Sequence, residues 1–103
     1  MNPNVEQALL TTLKNWNAMS ASLGDEQEAV ADQFQSSFYL FIDAVREWVY
    51  ELEPRPQTID ELLDMDMVEE ILDVLPAPLH LNFETEVELI MDNVVRIDDD
   101  KYD

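Results

Sequence analysis

The chain has no cysteine, one glycine, one histidine and only five basic residues among its 103. Without cysteine there are no disulfides and no thiolate zinc sites. A single glycine, Gly24, cannot build a glycine-rich phosphate cradle. With His80 as the only histidine, a two-histidine metal site or a Ser–His pair lacks its parts. After two prolines and between leucines, His80 reads as a partly packed loop residue. So few bases leave no basic–aromatic interleaving of the kind that binds nucleic acid. No apolar run approaches the roughly 18 residues that a bilayer span requires. The first residues carry no basic segment followed by a continuous apolar one, so no secretory signal is expected and the cytoplasm is the default location.

What is present is acid and apolar residues together. The net charge is −19, yet 47% of the residues are hydrophobic, so the chain can build a core and is no disordered polyelectrolyte. Residues 1–50 hold seven acids and two bases, whereas 51–103 hold seventeen acids and three bases. The field therefore comes from the second half. It repels phosphates, which disfavours direct binding of nucleic acid or of an anionic membrane, and it attracts a basic protein surface or a cation.

The apolar spacing predicts helices. Pro3 suits a first helical turn beginning at Asn2 or Asn4, with Asn4 and Gln7 as a capping-box pair. Val5, Leu9, Leu13, Trp16 and Leu23 form a narrow stripe, and Gly24 ends this helix. Asp25 with Glu28 opens a second helix running to about Leu52. Its core face is Val30, Phe34, Phe38, Phe41, Val45, Trp48 and Leu52, flanked by Ile42 and Val49. The short break makes the two an antiparallel hairpin. Pro54 and Pro56 then impose an extended link, and Thr58 with Glu61 restarts a helix.

From Thr58 to Pro76 there are seven carboxylates and no base. Ile59, Leu62 and Leu63 point away from Asp60, Glu61 and Asp64. Further on, Met67, Val68, Ile71, Leu72, Val74 and Leu75 oppose Asp66, Glu69, Glu70 and Asp73. The apolar direction turns by roughly 140° between the two parts, so one straight helix cannot bury both. A break near Asp64–Asp66 is expected, with Asp66 capping the second piece. After Pro76-Ala77-Pro78, residues 79–89 alternate like a strand, but Phe83, Val87, Ile90, Met91, Val94 and Ile97 fit a helix face. A short extended approach and a helix from about Glu84 to Ile97 follow. The expected fold is all-α: a bundle of four to five helices in one domain, 1–97, made of a long N-terminal hairpin, two short acidic helices and a C-terminal helix. Residues 98–103 form an acidic flexible tail.

Several chemistries can be tested on these residues. Asp64-x-Asp66 opens like a calcium-binding EF-hand loop, but the positions that need glycine and a bidentate glutamate hold Glu69 and Leu75. Glu61-x-x-Asp64 and Glu69-Glu70-x-x-Asp73 resemble the acidic clusters of all-α nucleotide pyrophosphohydrolases. That resemblance implies a carboxylate-only magnesium site facing a triphosphate. Against it, the clusters lie opposite the apolar faces and have no base beside them. No catalytic residue, cofactor or specific metal ligand is assigned, and the chain is not read as an enzyme.

Two surfaces remain. One is the acidic patch of Asp60, Glu61, Asp64, Asp66, Glu69, Glu70 and Asp73. It can dock on a basic partner, such as a nucleic-acid-binding protein, as an inhibitor or DNA mimic. In general composition, though in no motif, the chain resembles small acidic phage and plasmid proteins that block restriction, repair or defence enzymes. A halophilic host would also produce many acids and few lysines. The other surface is Tyr39, Asp43, Arg46 and Tyr50 with Leu40, away from the core stripe of the second helix. Two tyrosines and an arginine suit an interface, and a homodimer or adaptor contact through this face is the structural alternative.

Overall fold

The computed structural model describes residues 2–21 and 27–100, with side chains described as far as Asn93. Gly24, Asp25 and Leu23, on which the expected first helix end and second capping box rest, lie outside the described residues, as do residues 101–103. The fold is all-α. Five helices are described: α1 Pro3–Ala21, α2 Gln27–Glu51, α3 Ile59–Leu63, α4 Asp66–Val74 and α5 Ala77–Asp100. The chain divides into two compact units, 1–45 and 46–103, with α2 passing from the first into the second.

In the first unit, Asn2 rather than Asn4 caps α1. Its side-chain oxygen accepts from the backbone N–H of Asn4 at 2.9 Å and of Val5 at 3.2 Å. Pro3 then takes the first helical position, where its missing N–H costs nothing. Val5 and Leu9 are buried as their spacing predicts, while Leu13 and Trp16 are half-buried. The stripe includes a residue the apolar reading passed over, Thr12, which is fully buried. Its hydroxyl lies 2.8 Å from the Ala8 carbonyl and 3.1 Å from that of Ser37 on α2. Asn15 donates to the Ser37 hydroxyl at 3.1 Å, and Ser37 donates to the Phe34 carbonyl at 2.8 Å. Each buried hydroxyl is thus satisfied, which removes the desolvation penalty that an orphaned one would carry. Trp16 packs on Phe34 at 5.3 Å between ring centroids. On α2, Phe38, Phe41, Ile42 and Val45 are buried.

In the second unit, the link after α2 is bent rather than extended. Bends occur at 53–54 and 57–58, the Glu53–Pro54 peptide is cis, and Pro56 is buried. Thr58 caps α3 in an extended conformation, its hydroxyl accepting from the Glu61 N–H at 3.1 Å. The Glu61 carboxylate accepts from the N–H of Gln57, one residue before the cap, at 2.7 Å. This differs slightly from a strict capping box, in which it would reach the N–H of Thr58 itself. Thr58→Ala removes the acceptor and should lower the unfolding free energy by about 1 kcal/mol, measured by urea titration.

The break between the acidic helices falls at the expected place. Asp64 ends α3 in the helical region, and Met65 turns extended at φ −68°, ψ 139°. The reason is burial. Leu62, Val68 and Ile71 are all buried, and on one continuous helix the first two would point about 120° apart. One extended residue resets the phase. Met65 is the cap of α4, with no side-chain hydrogen bond, so Asp66 is the first helical residue and not the cap. Val74, expected on the apolar face, is 52% exposed.

The extended approach expected at 79–83 is helix. α5 starts at Ala77, and the Leu79 N–H donates to the Pro76 carbonyl at 2.9 Å. Leu79, Phe83, Val87, Ile90 and Met91 are buried, at three- and four-residue steps, whereas Leu81 is 71% exposed. Pro78 sits in the first turn, where proline is tolerated, so nothing prevents an early start. The helix continues through Asp100, past the expected end at Ile97.

Candidate functional site

All seven carboxylates from Asp60 to Asp73 are exposed. On α4, Asp66, Glu69, Glu70 and Asp73 recur at helical spacing on the face opposite buried Val68, Ile71 and Leu75. On α3, Asp60, Glu61 and Asp64 flank buried Leu62. α3 and α4 touch each other, and α3 also touches α5.

The charges of this face stabilise their own helices only in part. Asp66 and Glu69 lie in the first turn of α4, where the macrodipole favours an anion. Asp73 lies in the last turn, where it does not, and no base stands there to offset it. The like-charge pairs Asp66–Glu70 and Glu69–Asp73 each cost about 0.2–0.5 kcal/mol. The carboxyl end of α4 is served instead by His80. This histidine is half-buried and lies on α5 rather than in a loop, with its Nε2 2.9 Å from the Leu75 carbonyl. That contact gives His80 a structural role at the turn between α4 and α5.

Among the described residues, no three His, Asp or Glu side chains come together in a group that could hold a metal ion. Of the acidic i, i+3 pairs that resemble a magnesium cluster, Glu61 and Asp64 belong to α3 and its cap and Glu69, Glu70 and Asp73 to α4, and all five are exposed. Among the described residues no helix is long and apolar enough to cross a membrane.

The second surface is less uniform than its spacing predicts. Tyr39 and Leu40 are 51% and 64% exposed, and Asp43 is exposed, but Arg46 and Tyr50 are half-buried. The Tyr39 ring rests edge-on against Phe38 at 6.0 Å.

Sequence reasoning missed a cleft in the second unit. Gln57, Thr58 and Ile59 form one wall, with Glu88, Met91 and Asp92 of α5 as the other, around about 300 Å³. Glu88 and Asp92 are one helical turn apart, which was a readable sign of a shared face. The approach of the α3 entry to it was not readable. No protein-family model, curated protein or solved structure matches this chain.

Proposed function

We propose that this chain is a non-catalytic, acidic interaction module of the cytoplasm that docks on a basic macromolecular surface, acting as an inhibitor or nucleic-acid mimic. One observation carries the reading: all seven carboxylates of the α3–α4 segment are exposed, on helices whose opposite faces are buried. The spacing suits mimicry. Asp66 to Asp73 places four carboxylates along about 10 Å of helix axis. One strand of duplex DNA carries a phosphate every 3.4 Å or so. The docking residues are Asp60, Glu61, Asp64, Asp66, Glu69, Glu70 and Asp73.

In the supporting scaffold, α1 and α2 form the antiparallel hairpin. The order of their contacts supports this, because Thr12 and Asn15 meet Ser37 while the next turn's Trp16 meets Phe34. The test is capture of a partner by the immobilised chain, followed by elution. Salt and duplex DNA should each release the partner, because both compete for its basic groove. A partner held through high salt and indifferent to DNA would refute the reading.

The exposed Tyr39–Leu40 pair favours a second reading, an assembly subunit that pairs through α2. Self-association that persists in high salt and is lost in Tyr39→Ser would support it over the first.

A further inference from the structure

The cleft between the α3 entry and α5 allows the docking chemistry to be specified further. On the α3 side, Gln57 has its donors engaged internally, its side-chain amide donating to the Arg55 carbonyl at 3.2 Å. The Gln57 N–H goes to the Glu61 carboxylate and the Glu61 N–H to the Thr58 hydroxyl. What it presents outward is acceptors, the exposed carboxylates of Glu88 and Asp92, around an apolar floor of Met91 and half-buried Ile59. Residues four apart on a helix stand about 6 Å apart at their Cβ atoms. Two carboxylates at that separation suit a forked, planar cation better than a point charge.

We propose that this cleft receives an arginine side chain of the basic partner, its guanidinium held by Glu88 and Asp92 and its flat face and stem lying on Met91 and Ile59. The proposal rests on the function proposed above and adds to it a specific anchor outside the α3–α4 patch. Charge complementarity selects the occupant. An anion is repelled by both carboxylates, and an apolar group leaves them unpaired. Lysine brings a compact, strongly hydrated ammonium, whereas arginine offers five donors in a fixed fork and is more weakly hydrated. The cleft volume, about 300 Å³, accommodates one such side chain.

The experiment uses the full chain with its methionines ¹³C-labelled at the methyl group, titrated at low salt with hexa-arginine, hexa-citrulline and hexa-lysine peptides. Met91 reports the cleft, and Met67, half-buried on α4, reports the acidic helix. The expected result is a saturable shift of the Met91 methyl with hexa-arginine, none with the uncharged citrulline peptide, and a weaker response to lysine. Asp92→Asn should weaken hexa-arginine binding about threefold, the scale of one exposed ion pair. Glu6→Gln, at an exposed acid of α1 that belongs to neither the cleft nor the α3–α4 patch, should leave the Met91 shift in place.

Movement of Met67 with Met91 unmoved would overturn the cleft while leaving the acidic-surface reading standing. Equal Met91 shifts and affinity with hexa-lysine would overturn the assignment to arginine. Failure of any cationic peptide to bind at low salt would count against both.

Discussion

Phe83→Ala should destabilise the protein by about 3–5 kcal/mol, a large part of the stability of a domain this size, while Leu81→Ala should change it by no more than about 0.5 kcal/mol. Phe83 is fully buried on α5, so its removal strips apolar contacts and leaves a cavity that its neighbours fill only in part. Leu81 is two residues away and mostly exposed, so it has little to lose. The pair discriminates between helix and strand. In an alternating strand, Leu79, Leu81 and Phe83 would share one face and both substitutions would be costly. Urea unfolding of the two variants, with helicity followed by circular dichroism, measures the difference. Comparable losses would contradict the helix at 77–83.

The double reversal Glu69→Lys/Glu70→Lys should reduce capture of the basic partner by two orders of magnitude or so and leave helicity unchanged. Both side chains are exposed on α4, with no part in its core, so the reversal leaves the buried packing intact. The reversal relieves like-charge repulsion along the helix but sets a cation in the first turn at position 69, where the macrodipole favours an anion, and the two small effects offset, so stability should stay about level. At the interface the change acts twice. Two attractions are lost, and two cations are placed against a basic surface, where like-charge juxtaposition costs several kcal/mol. Surface plasmon resonance of both proteins against the captured partner reads the effect. Unaltered affinity would remove the α4 face from the contact.

These two experiments probe parts of the molecule that were unequally legible in the sequence. The all-α class and the division of the acidic segment followed from periodicity, because each short helix buries its own stripe and no single helix can bury both. The outward placement of the seven carboxylates followed from the same wheel. What periodicity could not give were details decided by local competition. Either Asn2 or Asn4 could have capped α1, and Asn2 prevailed because Pro3 already occupies the first helical position. Residues 79–83 satisfy both a two-residue and a four-residue repeat; burial of Leu79 and Phe83 fits either, and the exposure of Leu81 fits the helix alone. Thr12 and Ser37 were overlooked because a hydropathy stripe has no place for hydroxyls whose partners lie on a neighbouring helix. The spacing of Thr12, three residues after Leu9 and seven after Val5, was the available sign. The cleft of Glu88 and Asp92 depends on which element approaches α5, and that is a tertiary fact.

The most direct measurement is a map of the footprint left by the captured partner, taken from backbone amide shifts of the ¹⁵N-labelled chain at low salt. The largest changes should fall on residues 60–73 and at the cleft around residues 88–92, and they should vanish together as salt is raised. Changes centred instead on Tyr39 and Leu40 and insensitive to salt would contradict docking through these acidic surfaces.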